Sequence, residues 1–149
     1  MIERTVEQVS AAPDSADFSG RGDTKPRQSD RRQSLGRLGE QLASEHLLRR
    51  GFQILERNFR TRWGELDIVA RDGRTLVFCE VKTRRVGVAV PPFEALHPHK
   101  QAQVRRIARA WLANCGPRSF APLLRFDAIG ITVDRSGRLA SLEHLEGAF

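Results

Sequence analysis

Apolar positions recur at helical spacing in LGRLGEQLASEHLLRR, residues 35–50, where Leu35, Leu38 and Leu42 form one stripe that continues loosely toward Leu48. Gly51 follows Arg49 and Arg50 and closes this helix, because glycine takes the left-handed conformation of a helix end at little cost. The rhythm then changes. FQILERNF, residues 52–59, predicts a strand, and Arg60–Gly64 turns the chain into two apolar runs on either side of Asp72-Gly73. Leu66, Ile68, Val69 and Ala70 precede that dipeptide; Leu76, Val77, Phe78, Cys79 and Val81 follow it. After Lys82, Thr83-Arg84-Arg85 and a stretch holding Pro91, Pro92 and Pro98 read as a mobile basic loop. Helical spacing returns over Lys100–Asn114, with Val104, Ile107, Ala108, Trp111 and Leu112 on one face and Arg105, Arg106 and Arg109 displayed elsewhere. LLRFDAIGITV, residues 123–133, predicts a fourth strand, and Arg138–Leu145 a final edge strand after a turn at Asp134–Gly137. The order α-β-β-β-α-β-β points to α+β, or a mixed central sheet with helices against it.

Asp-Gly between apolar runs is a hairpin signal, since a type I′ turn needs positive φ at both central residues. Centred on Asp72-Gly73, a two-residue turn pairs Glu65 with Glu80, Asp67 with Phe78, and Trp63 with Lys82. Strand side chains alternate, so Glu65, Asp67, Glu80 and Lys82 fall on one face, and Leu66, Ile68, Val77, Cys79 and Val81 on the other. Opposed like charges on a sheet cost roughly 0.2–1 kcal/mol when solvated and more when partly buried. Three arrangements relieve that cost: a cross-strand ion pair with Lys82, a three-residue turn that breaks the register, or a hard divalent cation held by the carboxylates. Spacing alone does not choose among them. Glu40 lies in the helical row Gly36, Glu40, Ala43, Leu47, whose small members allow another element to approach; by itself it reads as a solvated glutamate. Asp127 and Arg125 stand two apart on a strand face continued by Ile129 and Ile131, the pattern of a buried carboxylate held by an arginine, which requires no catalytic role.

A chain of 149 residues suits one domain, here preceded by a tail. Residues 1–34 are rich in Ser, Asp, Arg, Gly and Pro and follow neither period, so they are expected to be disordered, leaving 35–149 as the folded domain. That tail carries six basic and six acidic residues, so the whole net charge of +7 falls on the domain. A compact cationic domain suits a polyanionic partner. No segment approaches a membrane span and no secretory pattern is visible, so a cytoplasmic protein without membrane partners is expected. Cys79 and Cys115 fit a reduced compartment as small packed hydrophobes. His46, His97, His99 and His144 show no zinc spacing with them and read as loop or surface histidines. Trp63 and Phe59 beside Arg60 and Arg62 have the chemistry to stack on unpaired bases, with core packing the ordinary alternative for Phe59.

A helical Glu40, the Asp67 that ends GExD, and the ExK of Glu80 and Lys82, followed by a helix opened by Lys100, resemble the PD-(D/E)xK nuclease superfamily. The closer resemblance is to the YraN-like family of small bacterial predicted endonucleases. It spans residues 35–149 and includes Asn58-Phe59-Arg60, Arg125-Phe126-Asp127 and the terminal Ala148-Phe149. The resemblance implies a restriction-endonuclease-like three-layer core, with a mixed central sheet flanked by helices. It implies a metal-dependent endonuclease hydrolysing DNA phosphodiesters. Asp67 and Glu80 would be ligands of Mg²⁺ or Mn²⁺, Glu40 would contribute directly or through water, and Lys82 would orient the attacking water and stabilise phosphate charge. Glu65 replaces the proline of the superfamily's namesake motif, which leaves its role open, as is that of Asp127. Similarity to archaeal Holliday-junction resolvases adds, by analogy, a branched DNA substrate and a homodimer; RNA is not excluded.

Composition adds an independent hint. The chain uses 22 arginines against three lysines, yet writes Lys at position 82, where a compact ammonium can do what a guanidinium cannot. Arg60, Arg62, Arg84, Arg85, Lys100, Arg105 and Arg106 are expected to meet nucleic-acid phosphates without reading bases. A nucleic-acid-binding module that keeps the fold without turnover is the alternative to an enzyme.

Overall fold

One mixed sheet organises the chain in a computed structural model described over residues 3–8, 28–88, 93, 96–115 and 123–149. Its strands are β1 (Glu3–Gln8), β2 (Gln53–Thr61), β3 (Gly64–Asp72), β4 (Thr75–Arg85), β5 (Leu123–Val133) and β6 (Leu139–Glu146), in the spatial order β1-β6-β5-β4-β3-β2. Helix α1 (Gln28–Arg49) precedes β2, and α2 (Pro98–Asn114) lies in the connection from β4 to β5. That pair is parallel, which requires a crossover; the other neighbours are antiparallel.

The two helices cover opposite faces. Ala43 and Leu47 of α1 pack with Ile68, Ala70, Val77, Cys79, Ile129, Ile131 and Leu142. Val104, Ile107, Ala108 and Trp111 of α2 pack with Leu66, Val69, Leu76 and Phe78. Burial from both sides explains why Leu76–Val81 is an unbroken buried run, whereas a strand with one wet face would alternate. The architecture is the three-layer α+β arrangement expected. Gly51, at φ 86, ends α1, and Phe52 N–H returns to the Leu47 carbonyl at 3.0 Å. Pro98 opens α2, where its missing N–H costs nothing, and the His97 side chain accepts from Lys100 N–H at 3.3 Å.

Several expectations are corrected. Glu3–Gln8, read as tail, forms β1 on β6, and α1 begins at Gln28 rather than Leu35; residues 9–27 lie outside the described residues. ERTVEQ carries little apolar surface, but an edge strand can dock through its backbone ladder and charges, such as Arg4 on Glu143 at 2.6 Å, and composition does not reveal that. With β1 in place, β6 is interior to the sheet and not its edge. Thr83-Arg84-Arg85 continue β4, paired with Ile131, Thr132 and Val133, instead of starting a loop; the adjoining Pro91 and Pro92 lie outside the described residues.

The hairpin turn is Gly73-Arg74, because Asp72 pairs with Thr75 and Ile68 with Cys79. Gly73 alone of the two has positive φ, 55°, the place a glycine takes at the first centre of a tight hairpin turn. The register therefore slides by two residues from that centred on Asp72-Gly73. Continued beyond the last pair, it opposes Asp67 to Glu80 and Glu65 to Lys82. A slide of two preserves which face a side chain takes. Two face assignments still fail: Leu66 packs under α2 while Ile68 packs under α1, and Glu65 opens on the α1 side beside Glu40, so β3 changes face across Asp67.

Candidate active site

Asp67 marks the point where β3 leaves β4. The ladder ends at Ile68–Cys79, and the next backbone donor, Val81 N–H, bonds Asp67 Oδ2 at 2.7 Å instead of a carbonyl across the pair. Asn58 lies opposite on β2, between the pairs Arg57–Ile68 and Phe59–Leu66, and has φ 56. On the α1 side a cleft of about 390 Å³ is lined by Arg37, Glu40, Asn58, Arg60 and Glu65. Glu40 reaches this place because Gly39, beside it, is pressed against β4: a Cβ there would fall 2.7 Å from Thr83 Cβ and 2.8 Å from Thr83 Cγ2.

Glu80 is 2 % exposed. Its Oε1 takes both Lys82 Nζ at 2.7 Å and Lys100 Nζ at 2.9 Å, while its buried Oε2 has no hydrogen-bond partner. Burial, and after it the charge of Glu80, push the Asp67 carboxyl up to about 7; Val81 N–H and Lys82 pull the other way, and Glu40 adds to the rise. An acceptor left bare in the interior, next to a carboxyl that resists ionisation, fits a donor set short of positive charge. These residues suit a hard divalent cation with oxygen ligands.

The structure thus brings Glu40, Asp67, Glu80 and Lys82 to one end of the β3–β4 pair. Glu65 points into the α1-side cleft and carries Arg60, at 3.1 Å. The expected basic residues are dispersed. Arg62 and Arg106 lie over the Trp63 ring, Arg105 lies over Phe126 and Phe149, Arg84 donates to Thr132 Oγ1, and Arg85 caps the β5–β6 turn at the Asp134 carbonyl. Lys100, expected among the phosphate contacts, is held on Glu80.

A second polar group was not foreseen. His46 and His144, expected in loops or at the surface, are both fully buried. His144 Nε2 donates to Asp127 Oδ2 at 2.9 Å, and its Nδ1 lies 3.2 Å from His46 Nε2 and 3.1 Å from Arg50 Nη1; His46 Nδ1 faces Glu7 of β1 at 3.4 Å. His144 alternates with the buried Leu142 along β6, and His46 adjoins Leu47 in the buried rows of α1, so each sits at a core position that its residue type disguised. Cys79, Asp127 and His144 place potential metal-ligating atoms within 4.8 Å of one another. Their chemistry is that of a closed network. Asp127 Oδ1 accepts from Arg125 Nε and Gly147 N–H, and Oδ2 from Arg125 Nη2 and His144. Burial would raise the Asp127 carboxyl, but these bonds outweigh it and hold it below its ordinary value; burial and then the Asp127 charge push the Cys79 thiol well up. A thiol that resists ionisation and a saturated carboxylate leave little for a metal. Arg125 holding a buried Asp127 is the arrangement the sequence pattern suggested.

A mixed sheet between two helices, with carboxylates and lysines meeting where two strands part, defines an α/β protein with a nuclease-like core. The chain belongs to the family described as Uncharacterised protein family UPF0102, whose model matches residues 39–131, and this is the YraN-like family to which the motifs pointed. It is 50% identical over 116 residues to a UPF0102 protein of Geobacter metallireducens, covering 78% of this chain and 92% of that one. It is 45% identical over 127 residues to a UPF0102 protein of Acidothermus cellulolyticus, covering 79% and 95%. Among the described residues no helix is long and apolar enough to cross a membrane.

Proposed function

We propose that this protein is a metal-dependent endonuclease that hydrolyses DNA phosphodiesters at the parting of β3 and β4. The observation that carries the reading is the bare Glu80 Oε2 beside a raised Asp67, with two lysines on the other Glu80 oxygen. Asp67 and Glu80, with Glu40, would hold Mg²⁺ or Mn²⁺, which when bound supplies a polarised phosphate oxygen and an acidified water. Glu80 keeps the Lys82 ammonium at the site's edge, where its 35 % exposed side chain meets solvent and can orient a water toward phosphorus and share the charge that builds on the phosphate. A lysine suits this work because its compact charge can follow a proton, which a guanidinium does not. The net charge of +7 favours a polyanion by steering and counterion release.

The test is incubation of purified protein with linear, nicked, flapped and four-way DNA, and with RNA, in Mg²⁺ or Mn²⁺. Cleavage that is lost in Lys82→Ala, with binding retained, is the expected result. Binding without cleavage of any substrate in either ion would replace the enzyme by a binding module that keeps the fold.

A further inference from the structure

Resting on that nucleic-acid reading, we propose that Trp63 and the first turns of α2 form a seat for one unpaired nucleobase, which makes single-stranded or locally unpaired DNA the preferred substrate. Trp63 stands in the turn between β2 and β3, half-buried at the margin of the α2-side core. Its backbone is fixed from the helix: Gln103 Nε2 donates to the Trp63 carbonyl at 2.6 Å. The approach is close because the next residue is glycine; a Cβ at Gly64 would meet Gln103 Nε2 at 2.6 Å, and its φ of 132 disfavours a side chain in any case. Beside the indole a cleft of about 280 Å³ is lined by Trp63, His99, Ala102, Gln103 and Arg106. Ala102 and His99 are exposed, so the cleft opens to solvent past a small side chain.

The charges match a nucleotide. Guanidinium groups of Arg62 and Arg106 lie 4.6 and 4.4 Å from the indole centroid. Both guanidiniums lie over the ring, so a base seats by displacing one of them, and the displaced arginine meets the neighbouring phosphate; every base has a face to offer. In duplex DNA those faces are already stacked on one another, so the seat discriminates by pairing state and not by sequence. Position links seat and chemistry: Gln103 is three residues, about one helical turn, beyond Lys100, whose Nζ lies on Glu80. A base on Trp63 thus brings the adjoining backbone toward the carboxylates.

The test uses the full chain in EDTA, with a fluorescent ten-nucleotide poly-dT strand and a blunt duplex of the same length. Parent, Trp63→Leu, which keeps apolar bulk without a flat face, and Trp63→Phe are compared by anisotropy. Indole emission is followed in the parent, with buried Trp111, bonded to Glu56, as the indole that DNA does not reach. The strand should quench parent emission and the duplex should not. Trp63→Leu should weaken the strand about tenfold or more and leave the duplex within twofold, and Trp63→Phe should restore most of the strand's affinity. Equal loss on both DNAs, or no loss on either, overturns the seat while leaving the nuclease reading standing. Absence of binding to both DNAs by the parent overturns both.

Discussion

Asn58 and Asp67 stand opposite one another in the β2–β3 pair, at the step where β3 passes from the α2 face at Leu66 to the α1 face at Ile68. Asn58 has φ 56, the one described non-glycine residue with positive φ. Asparagine tolerates this conformation; most other side chains pay about 1–2 kcal/mol. Asn58→Gly should therefore leave the melting temperature within a degree or two, while Asn58→Ala should lower stability by about 1 kcal/mol. If Asn58→Ala and Asn58→Gly behave alike in urea melts, the strain is not what selects asparagine there.

Neighbouring acids should respond with opposite signs in metal-free protein. Asp67→Asn keeps an oxygen for Val81 N–H and removes a charge that burial and Glu80 oppose, so it should stabilise by about 1–3 kcal/mol. Glu80→Gln strips the partner of two lysines and should destabilise by about 1–3 kcal/mol, less than a fully buried pair because both lysines are partly exposed. Thermal melts in EDTA check this; stabilisation by both substitutions would show that the lysines do not hold Glu80.

Two groups oppose each other in the pH profile of stability. Asp67 rises from 3.8 to about 7 on folding, so the fold favours its protonated form, and its contribution is lost as pH climbs through that window. His46 is lowered from 6.5, by burial first and then by His144, with Arg50 acting the same way against Glu7; its contribution is intact above 6.5 and is lost as pH falls below it. Relative to parent, Asp67→Asn should gain least at pH 4 and most above pH 7, and His46→Gln should flatten the acid side. Parallel profiles for parent and both variants would contradict these assignments.

Gly39→Ala should be costly far beyond helix propensity, which alone would favour alanine. The new methyl meets Thr83 at its Cβ and Cγ2, and β4 is held there by its ladder to β5, where Thr83 pairs with Ile131. A loss of about 2–4 kcal/mol is expected, recovered in part by adding Thr83→Gly. A neutral Gly39→Ala would mean α1 stands farther from β4.

Most of the sheet was legible because its strands are long apolar runs bounded by glycine and aspartate, and Leu123–Val133 was found to the residue. The acidic cluster was legible in part: sliding the turn from Asp72-Gly73 to Gly73-Arg74 moves the register by two, which by itself changes no face, although Glu65 and Leu66 exchange faces where β3 turns over at Asp67. What failed depends on partners distant in sequence. β1 docks by edge hydrogen bonds and charges, His46 and His144 are core positions occupied by a residue type usually found outside, and Leu66 changes face at the step where Asn58, opposite Asp67, departs from strand geometry. Lys100 on Glu80 joins residues 20 apart through the placement of α2, which no local pattern contains.

The central claim is that Asp67 and Glu80 form one cation site, and calorimetric titration of Mn²⁺ into parent, Asp67→Asn and Glu80→Gln tests it most directly, with Glu143→Gln as an off-site control. Parent and control should bind with the same affinity, and each site variant should lose at least tenfold. Indistinguishable binding in all four proteins, or none in the parent, would contradict it.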